Sequence, residues 1–436
     1  MREDAMKVTY ANRLAGRVYR RGEEGYRERC RTLSPAVEHR PVAVVEAEAA
    51  GDVRAAVGMA RRAGVPFAVQ ATGHGTHAPL DGGVLLRTDR MASVLVDPDR
   101  RIARVGPGAR WGQVLAAAAP FGLAPLSGSS PTVGVTGYTL GGGMGWLARR
   151  YGLAADSVVG AEVVTADGRH RTATADRHPD LFWALRGGGG AFGVVTSLEF
   201  RLHPVSAVYA GAAYFPAARA GEFLLRYRDW AAGVPDAMST AVVLRTLTDS
   251  ADVPAGLRGQ RVIMLKAMYA GSADAGRRLL APLCKAAGPP LHDQMRAVPY
   301  AAAAMGGTAA RYLDFVADLA DPVVDILTAL NATVEIRHWA GAIADPRGDA
   351  GPAGHRAAQF SIIVDQQVPG LTETLRPHTI GGSFLNFLSD TRRTATAYTP
   401  DNHRTLRTIK AAYDPDNFFH AGHNIRPETP ATVRAS

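Results

Sequence analysis

The chain has 436 residues, 47% of them hydrophobic and only 20% charged, with 47 Gly, 27 Pro and a net charge of +9. That balance excludes a coiled coil, a collagen-like repeat and wholesale disorder, and the length suffices for two or three domains of roughly 150 residues. The positive charge sits on scattered arginines, with lysine only at 7, 266, 285 and 410, so no basic run marks a nucleic-acid surface.

In chain order, residues 1–37 are polar and read as a helix and a loop. Strand-like 41–48 is followed by helical spacing over 52–63, with Asp52 as N-cap and Gly64 as stop, then a strand over 66–70. Short strands follow at 83–87, 93–97 and 102–105, then a helix over 111–118. Two glycine-dense segments, 128–145 and 186–193, flank a strand over 158–165 and an Asp167-Gly168 hairpin signal. A strand over 194–202 closes the block 38–204, read as one cofactor-binding domain. In 205–382, strand-like runs (208–214, 241–244, 260–269, 332–338, 359–364) alternate with Ala/Leu/Arg-rich helices such as 217–230 and 275–280, an α+β pattern. Residues 345–354 read as a surface loop, and the tail 383–436 opens with a strand over 384–388 and holds a helix over 403–413.

No stretch of about 18 apolar residues suggests a membrane span, and the charged opening MREDAMKVTYANRL has no apolar centre like that of a secretory leader. Cys30 and Cys284 make neither a metal set nor a disulfide framework. The expectation is a cytoplasmic, reduced protein without metal, nucleic-acid or membrane partners.

Several motifs point away from common chemistries. Residues 188–193 (GGGAFG) match G-x-G-x-x-G, but a helical segment precedes them and a strand follows, the reverse of a dinucleotide fold. Pro131 after Gly128-Ser129-Ser130 argues against a nucleophile elbow. His74 and His77 lie on a glycine loop with no acidic partners for a zinc ion. What the glycines support is a large anionic cofactor, cradled by backbone N–H groups near 73–77 and 134–145.

These segments also carry a family's signatures in order: VQATGHG, VGPGARWGQVL, GSSPTVGVTGYTLGGGMGW, HPDLFWALRGGGGAFGVVTSLEF and AAYDPDNFFHAGHNIRP. The chain resembles vanillyl-alcohol-oxidase-type flavoproteins, closest to the berberine-bridge-enzyme-like branch. The resemblance implies an α+β fold. A two-subdomain FAD-binding domain of the PCMH type would be joined by a substrate domain whose antiparallel sheet roofs the flavin, with helices behind. The tail would return to the FAD domain. FAD would be tethered through His74 alone, because the place of the second, cysteinyl link is Ser130.

The same resemblance assigns to the cofactor Thr72, Gly73, His74, Gly75, Thr76 and His77 from the first loop, and Gly128, Ser129, Ser130, Thr132, Gly134, Val135, Gly137, Tyr138, Gly141, Gly142, Gly143 and Gly145 from the second. Gly193, Val194, Val195 and Asn424 complete that set. Tyr138 would stabilise charge developing on the reduced flavin, and Met144, Trp339, Phe384, Asn386 and Phe387 would face substrate. Relatives place a tyrosine base where this chain has Phe384 and Phe387, so the base is open. His338 is the leading candidate, with Tyr398, Gln366 and Gln367 as others and Arg337 as a stabiliser of negative charge. The implied activity is an FAD-dependent oxidase of a hydrophobic, secondary-metabolite-like small molecule, with dioxygen as acceptor, in a monomer or homodimer. The missing phenols leave a non-oxidative cyclisation or elimination as the alternative.

Overall fold

The computed structural model describes residues 14–428 apart from 35, 252 and 347, so the reading of 1–13 lies outside the described residues. Three parallel strands, Ala43–Glu46, Val84–Arg87 and Phe67–Gln70, form a small sheet with Arg17–Arg20 antiparallel on its edge. That edge strand corrects the helix-and-loop reading of the N-terminus. Val18 and Tyr19 point to opposite faces and pack into two separate cores, which fixes a period of two. The helix covering this sheet is Ala50–Ala63, ended by Gly64 at φ 61° as expected. Asp52 is not its N-cap. Inside the first turn its carboxylate accepts from the N–H groups of Ala15, Gly16, Glu48 and Ala49, stitching the N-terminal strand to the helix.

A second, antiparallel sheet runs in the order Val94–Asp97, Ile102–Val105, Val194–Arg201, Val158–Val164, His170–Ala173. Helices Trp111–Ala118, Pro179–Leu185 and Pro400–Tyr413 share its core. The tail therefore does return: Phe418 and Phe419 pack on Phe67 of the first sheet. Lys410, fully buried, donates to the carbonyls of Ala191 and Phe419 and to Asp414.

The third sheet is antiparallel and large. Its core strands are Ala207–Pro216, Arg261–Tyr269, Met238–Thr246, Val334–His338, Phe360–Val364 and Tyr312–Val316, in that order. One face buries Val242, Leu244, Leu265, Val334, Ile336 and Ile362 under helices Ala220–Ala231, Ala273–Ala287 and Asp321–Ala329. Each such side chain contributes about 1.5–3 kcal/mol of transfer free energy. The other face lies over the glycine-rich segment, with Trp146 and Leu147 packed on Ala210, Ala241 and Met268.

Two readings of the sequence are corrected here. Residues 384–388 form a 3-10 turn at Leu385–Phe387, not a strand, held by Asn386 side-chain bonds to the glycine segment. Within 345–354, Gly351 to Gly354 are buried and not at the surface, and a Cβ on Gly351 would stand 2.0 Å from the Arg186 carbonyl oxygen. The strand Tyr312–Val316 and helix Asp321–Ala329 had no sequence prediction. Among the described residues, no helix is long and apolar enough to cross a membrane.

Candidate active site

The strand Phe67–Gln70 releases the chain into the loop 72–77, where Gly73 takes φ 81°. A second loop meets it: the Gly134 backbone is packed so that an added Cβ would lie 3.3 Å from Thr72 Oγ1. His74 is exposed at this junction. Its Nδ1 is 3.2 Å from Thr72 Oγ1 and its Nε2 3.4 Å from Thr132 Oγ1, which in turn is 2.9 Å from Ser130 Oγ. Desolvation and the nearby Arg110 lower the His74 pKa, so the ring is neutral and its lone pair free at neutral pH. His77 meets the tail through an edge-on contact with His423, centroids 5.6 Å apart. His423 is bound to Thr394 Oγ1 and the Leu388 carbonyl, and burial, then His77, push its pKa down to about 4.

The Tyr138 hydroxyl and Asn424 Oδ1 are buried without a partner in the protein, as are the Thr136 and Thr139 hydroxyls. Burial raises the Tyr138 pKa, so it remains an O–H donor. Gly75 and Gly137 face open space. Orphaned donors and acceptors beside bare glycine backbone fit a polar cofactor that would satisfy them.

The glycines at 141, 142, 143 and 145 differ from that expectation. All are buried, and added Cβ atoms would collide with Asn386 at 2.7 Å, Phe384 at 2.8 Å, Tyr138 at 2.6 Å and the Ser127 carbonyl at 2.1 Å, respectively. They let protein pack on protein and do not form an open anion nest. Gly193 likewise admits Val163 and Val164, and Val135, Val194 and Val195 are core side chains. Any contact of theirs with a cofactor is through main chain. Of the expected substrate wall, Met144, Trp339 and Phe384 are sealed by protein at 4%, 0% and 1% exposure, Trp339 donating to Ser361. Only Asn386 and Phe387 stay half-buried. Asn386 accepts from the Gly143 N–H and donates to the Tyr138 carbonyl, clamping the segment below Tyr138.

The catalytic expectation for His338 is corrected by strand alternation. His338 shares the helix-covered face with Val334 and Ile336, stacks on Phe360 and receives a hydrogen bond from Arg149. Burial, then Arg149, depresses its pKa to about 3. Tyr398 donates to the Gly187 carbonyl inside the core, and Gln366 and Gln367 are exposed, bound to Asn331 and Arg311 carbonyls. None of these three is hydrogen-bonded to the glycine segment 128–145.

The residues between them do. Glu335 and Arg337 project from the opposite face. The Arg337 guanidinium stacks over Trp146 at 5.1 Å and approaches Met144 Sδ at 3.5 Å. Arg337 also pairs with Glu335 Oε1 at 2.6 Å, while Thr308 binds Oε2 through its hydroxyl at 2.8 Å and its N–H at 3.3 Å. Lys266 Nζ stands 3.8 Å from the same carboxylate. Burial works to raise the Glu335 pKa, but Arg337, Lys266 and Thr308 outweigh it and keep the group ionised. Burial, with Arg337 and Arg245, lowers the Lys266 pKa. Sequence reasoning named Arg337 but missed Glu335, Lys266 and Thr308. The signal was the run Val-Glu-Ile-Arg-His, whose alternation puts two charges on one face of a strand. Among the described residues no group of three or more His, Cys, Asp or Glu converges as a metal site.

Comparison with known proteins bears on the same segments. Residues 41–174 match the FAD binding domain family, and residues 383–426 match the berberine and berberine like family. The chain thus carries an FAD binding domain and a berberine-like segment, and it is an FAD-linked oxidoreductase. It is 28% identical to an FAD-linked oxidoreductase of Dictyostelium discoideum, over 96% of this chain and 96% of that one. Its structure is similar to that of 6-hydroxy-D-nicotine oxidase from Arthrobacter nicotinovorans, with TM-score 0.83 and 25% identity, covering 97% of this chain and 100% of the other. Glucooligosaccharide oxidase from Acremonium strictum, described with a 6-S-cysteinyl, 8α-N1-histidyl FAD, shares the fold at TM-score 0.79 and 21% identity, over 95% and 98% of the two chains. FAD is thus the cofactor of this enzyme family and of this chain.

Proposed function

We propose that this enzyme is an oxidase that removes two electrons from a small organic substrate, with the reaction staged between Tyr138 and the charged face of the large sheet. The observation that carries the reading is an ionised carboxylate, Glu335, on the same sheet face as Arg337, whose guanidinium meets Met144 and Trp146. FAD, when bound, supplies the acceptor for a hydride leaving a substrate C–H bond. Glu335 takes the proton that leaves the adjoining substrate O–H or N–H, the role left vacant by Phe384 and Phe387. Thr308 and Arg337 hold its two oxygens in place. The Tyr138 O–H donates to charge that develops on the cofactor, and Asn386 fixes the height of that tyrosine from below. His74, neutral and at the loop junction, forms the one covalent tether, and Ser130 cannot form a second. The doubly linked FAD of glucooligosaccharide oxidase and the oxidase names of the relatives support this assignment and support dioxygen as acceptor, reduced to hydrogen peroxide. Both cysteines are free, which fits a reducing compartment such as the cytoplasm.

Intact mass before and after denaturation tests the tether: the FAD mass survives unfolding and is lost in His74→Ala. Anaerobic mixing with substrate tests the reaction. Bleaching of the flavin band near about 450 nm supports oxidation. Product formed with an unchanged band would support the cyclisation or elimination that the missing phenols otherwise suggest.

A further inference from the structure

On the same face of the large sheet, beyond Lys266, lies a cavity of about 370 Å³. Its floor is the strand pair Ala207–Pro216 and Arg261–Tyr269, and its roof is the segment 302–307. Three cations line it, Lys266, Arg245 and Arg296, together with Tyr214, Met264 and Met305, and no carboxylate does. The charge balance inside is incomplete. Among the described residues the one carboxylate paired with Lys266 is Glu335, at 3.8 Å, and it is shared with Arg337 at 2.6 Å. Among the described residues Arg245 has no carboxylate partner, and its Nε is buried with no hydrogen-bond acceptor. Lys266 is only 5% exposed, so water cannot solvate its ammonium freely. An ammonium that shares its carboxylate with a second cation, beside a guanidinium whose Nε has no acceptor, leaves an excess of positive charge that an anion would offset.

Position along the sheet adds a length. Lys266 pairs with Ala241, and Ala241 pairs with Arg337, so Lys266 and Arg337 share one row two strands apart. At strand spacings of about 4.8 Å that is roughly 10 Å. The small side chains of Ala210 and Ala212 leave the space beside Lys266 open.

We propose that this cavity is a carboxylate-recognition subsite, and that the substrate is an organic acid whose anionic end lies on Lys266 and Arg245, two strands along the sheet from Arg337. The inference deepens the oxidase reading, since it rests on the same sheet face being the substrate face. It also revises the purely hydrophobic substrate expected from the sequence.

The test uses the purified holoenzyme and matched pairs of acid and amide: benzoate and benzamide, phenylacetate and phenylacetamide, cinnamate and cinnamamide. Binding is read by calorimetry, with flavin content measured on the same samples. At least one acid is expected to bind tenfold or more tightly than its amide. Lys266→Met and Arg245→Met should each abolish that preference, while Lys266→Arg retains it. If Lys266→Met fails to fold, the half-exposed Arg245→Met carries the result. The proposal is overturned if every acid binds within threefold of its amide, or if the preference survives a folded Lys266→Met or Arg245→Met. A yellow protein without acid preference defeats this inference alone. A colourless protein defeats the oxidase reading, and the acid preference is still read.

Discussion

The two faces of the strand Val334–His338 sit one residue apart in sequence and belong to different chemistries. Val334, Ile336 and His338 face a dry layer under three helices. Glu335 and Arg337 face Trp146, Met144 and the glycine segment. A residue's position on the pleat decides whether its charge is a tool or a cost. His338 sits in a fully packed layer and gives up its proton, with a pKa near about 3. Glu335 is no less buried, yet Arg337 and Lys266 hold it ionised. Burial alone therefore does not separate functional from structural residues here; the sign and number of neighbouring charges do.

That contrast can be broken most sharply at Glu335. Glu335→Gln keeps the shape and removes the base, so anaerobic flavin reduction should slow by about 10²–10⁴-fold with flavin content unchanged. A rate within a few fold of wild type would remove Glu335 from the reaction. Across the pleat, Ile336→Ala should leave the reduction rate per folded molecule unchanged. It should instead cost about 2–5 kcal/mol in denaturant unfolding, because the emptied volume lies under the helices. The smallest effect concerns pH. A histidine whose folded pKa lies below its unfolded value of 6.5 stabilises the protein fully above that value. The contribution is lost as pH falls from 6.5 toward about 3, since the unfolded chain takes up the proton first. His338→Gln should therefore flatten the fall of Tm with acid, by up to about 1.4 kcal/mol per pH unit, and leave the pH profile of turnover in place. A shifted turnover profile would return His338 to the chemistry. His203 and His423, both lowered to about 4 by burial first, add to the same slope.

Much of the fold was legible. Capping glycine, hairpin signals and apolar periodicity located the helix Ala50–Ala63, the hairpin at Gly168 and most strands of the large sheet. What escaped had no local signature. Tyr312–Val316 carries an aspartate at its centre, and Asp314 is satisfied by the N–H of Phe315 and by groups of the distant stretch 379–382, among them the Gly381 N–H. At the site, glycine density was read as room for a ligand. For the loop 72–77 the open space around Gly75 agrees with that reading. For 141–145 the glycines admit Asn386, Phe384 and Tyr138 instead, and composition cannot tell close approach of protein from close approach of a ligand.

Lys410 gives the molecule an order of assembly. Its ammonium ties the helix Pro400–Tyr413 to the carbonyl of Ala191, more than two hundred positions earlier, and Asp414 neutralises it from the following turn. His423 reaches His77 from the same stretch. The first two sheets are thus completed by a segment that the ribosome delivers last, and removing the Lys410 ammonium would loosen both ends of the chain at once.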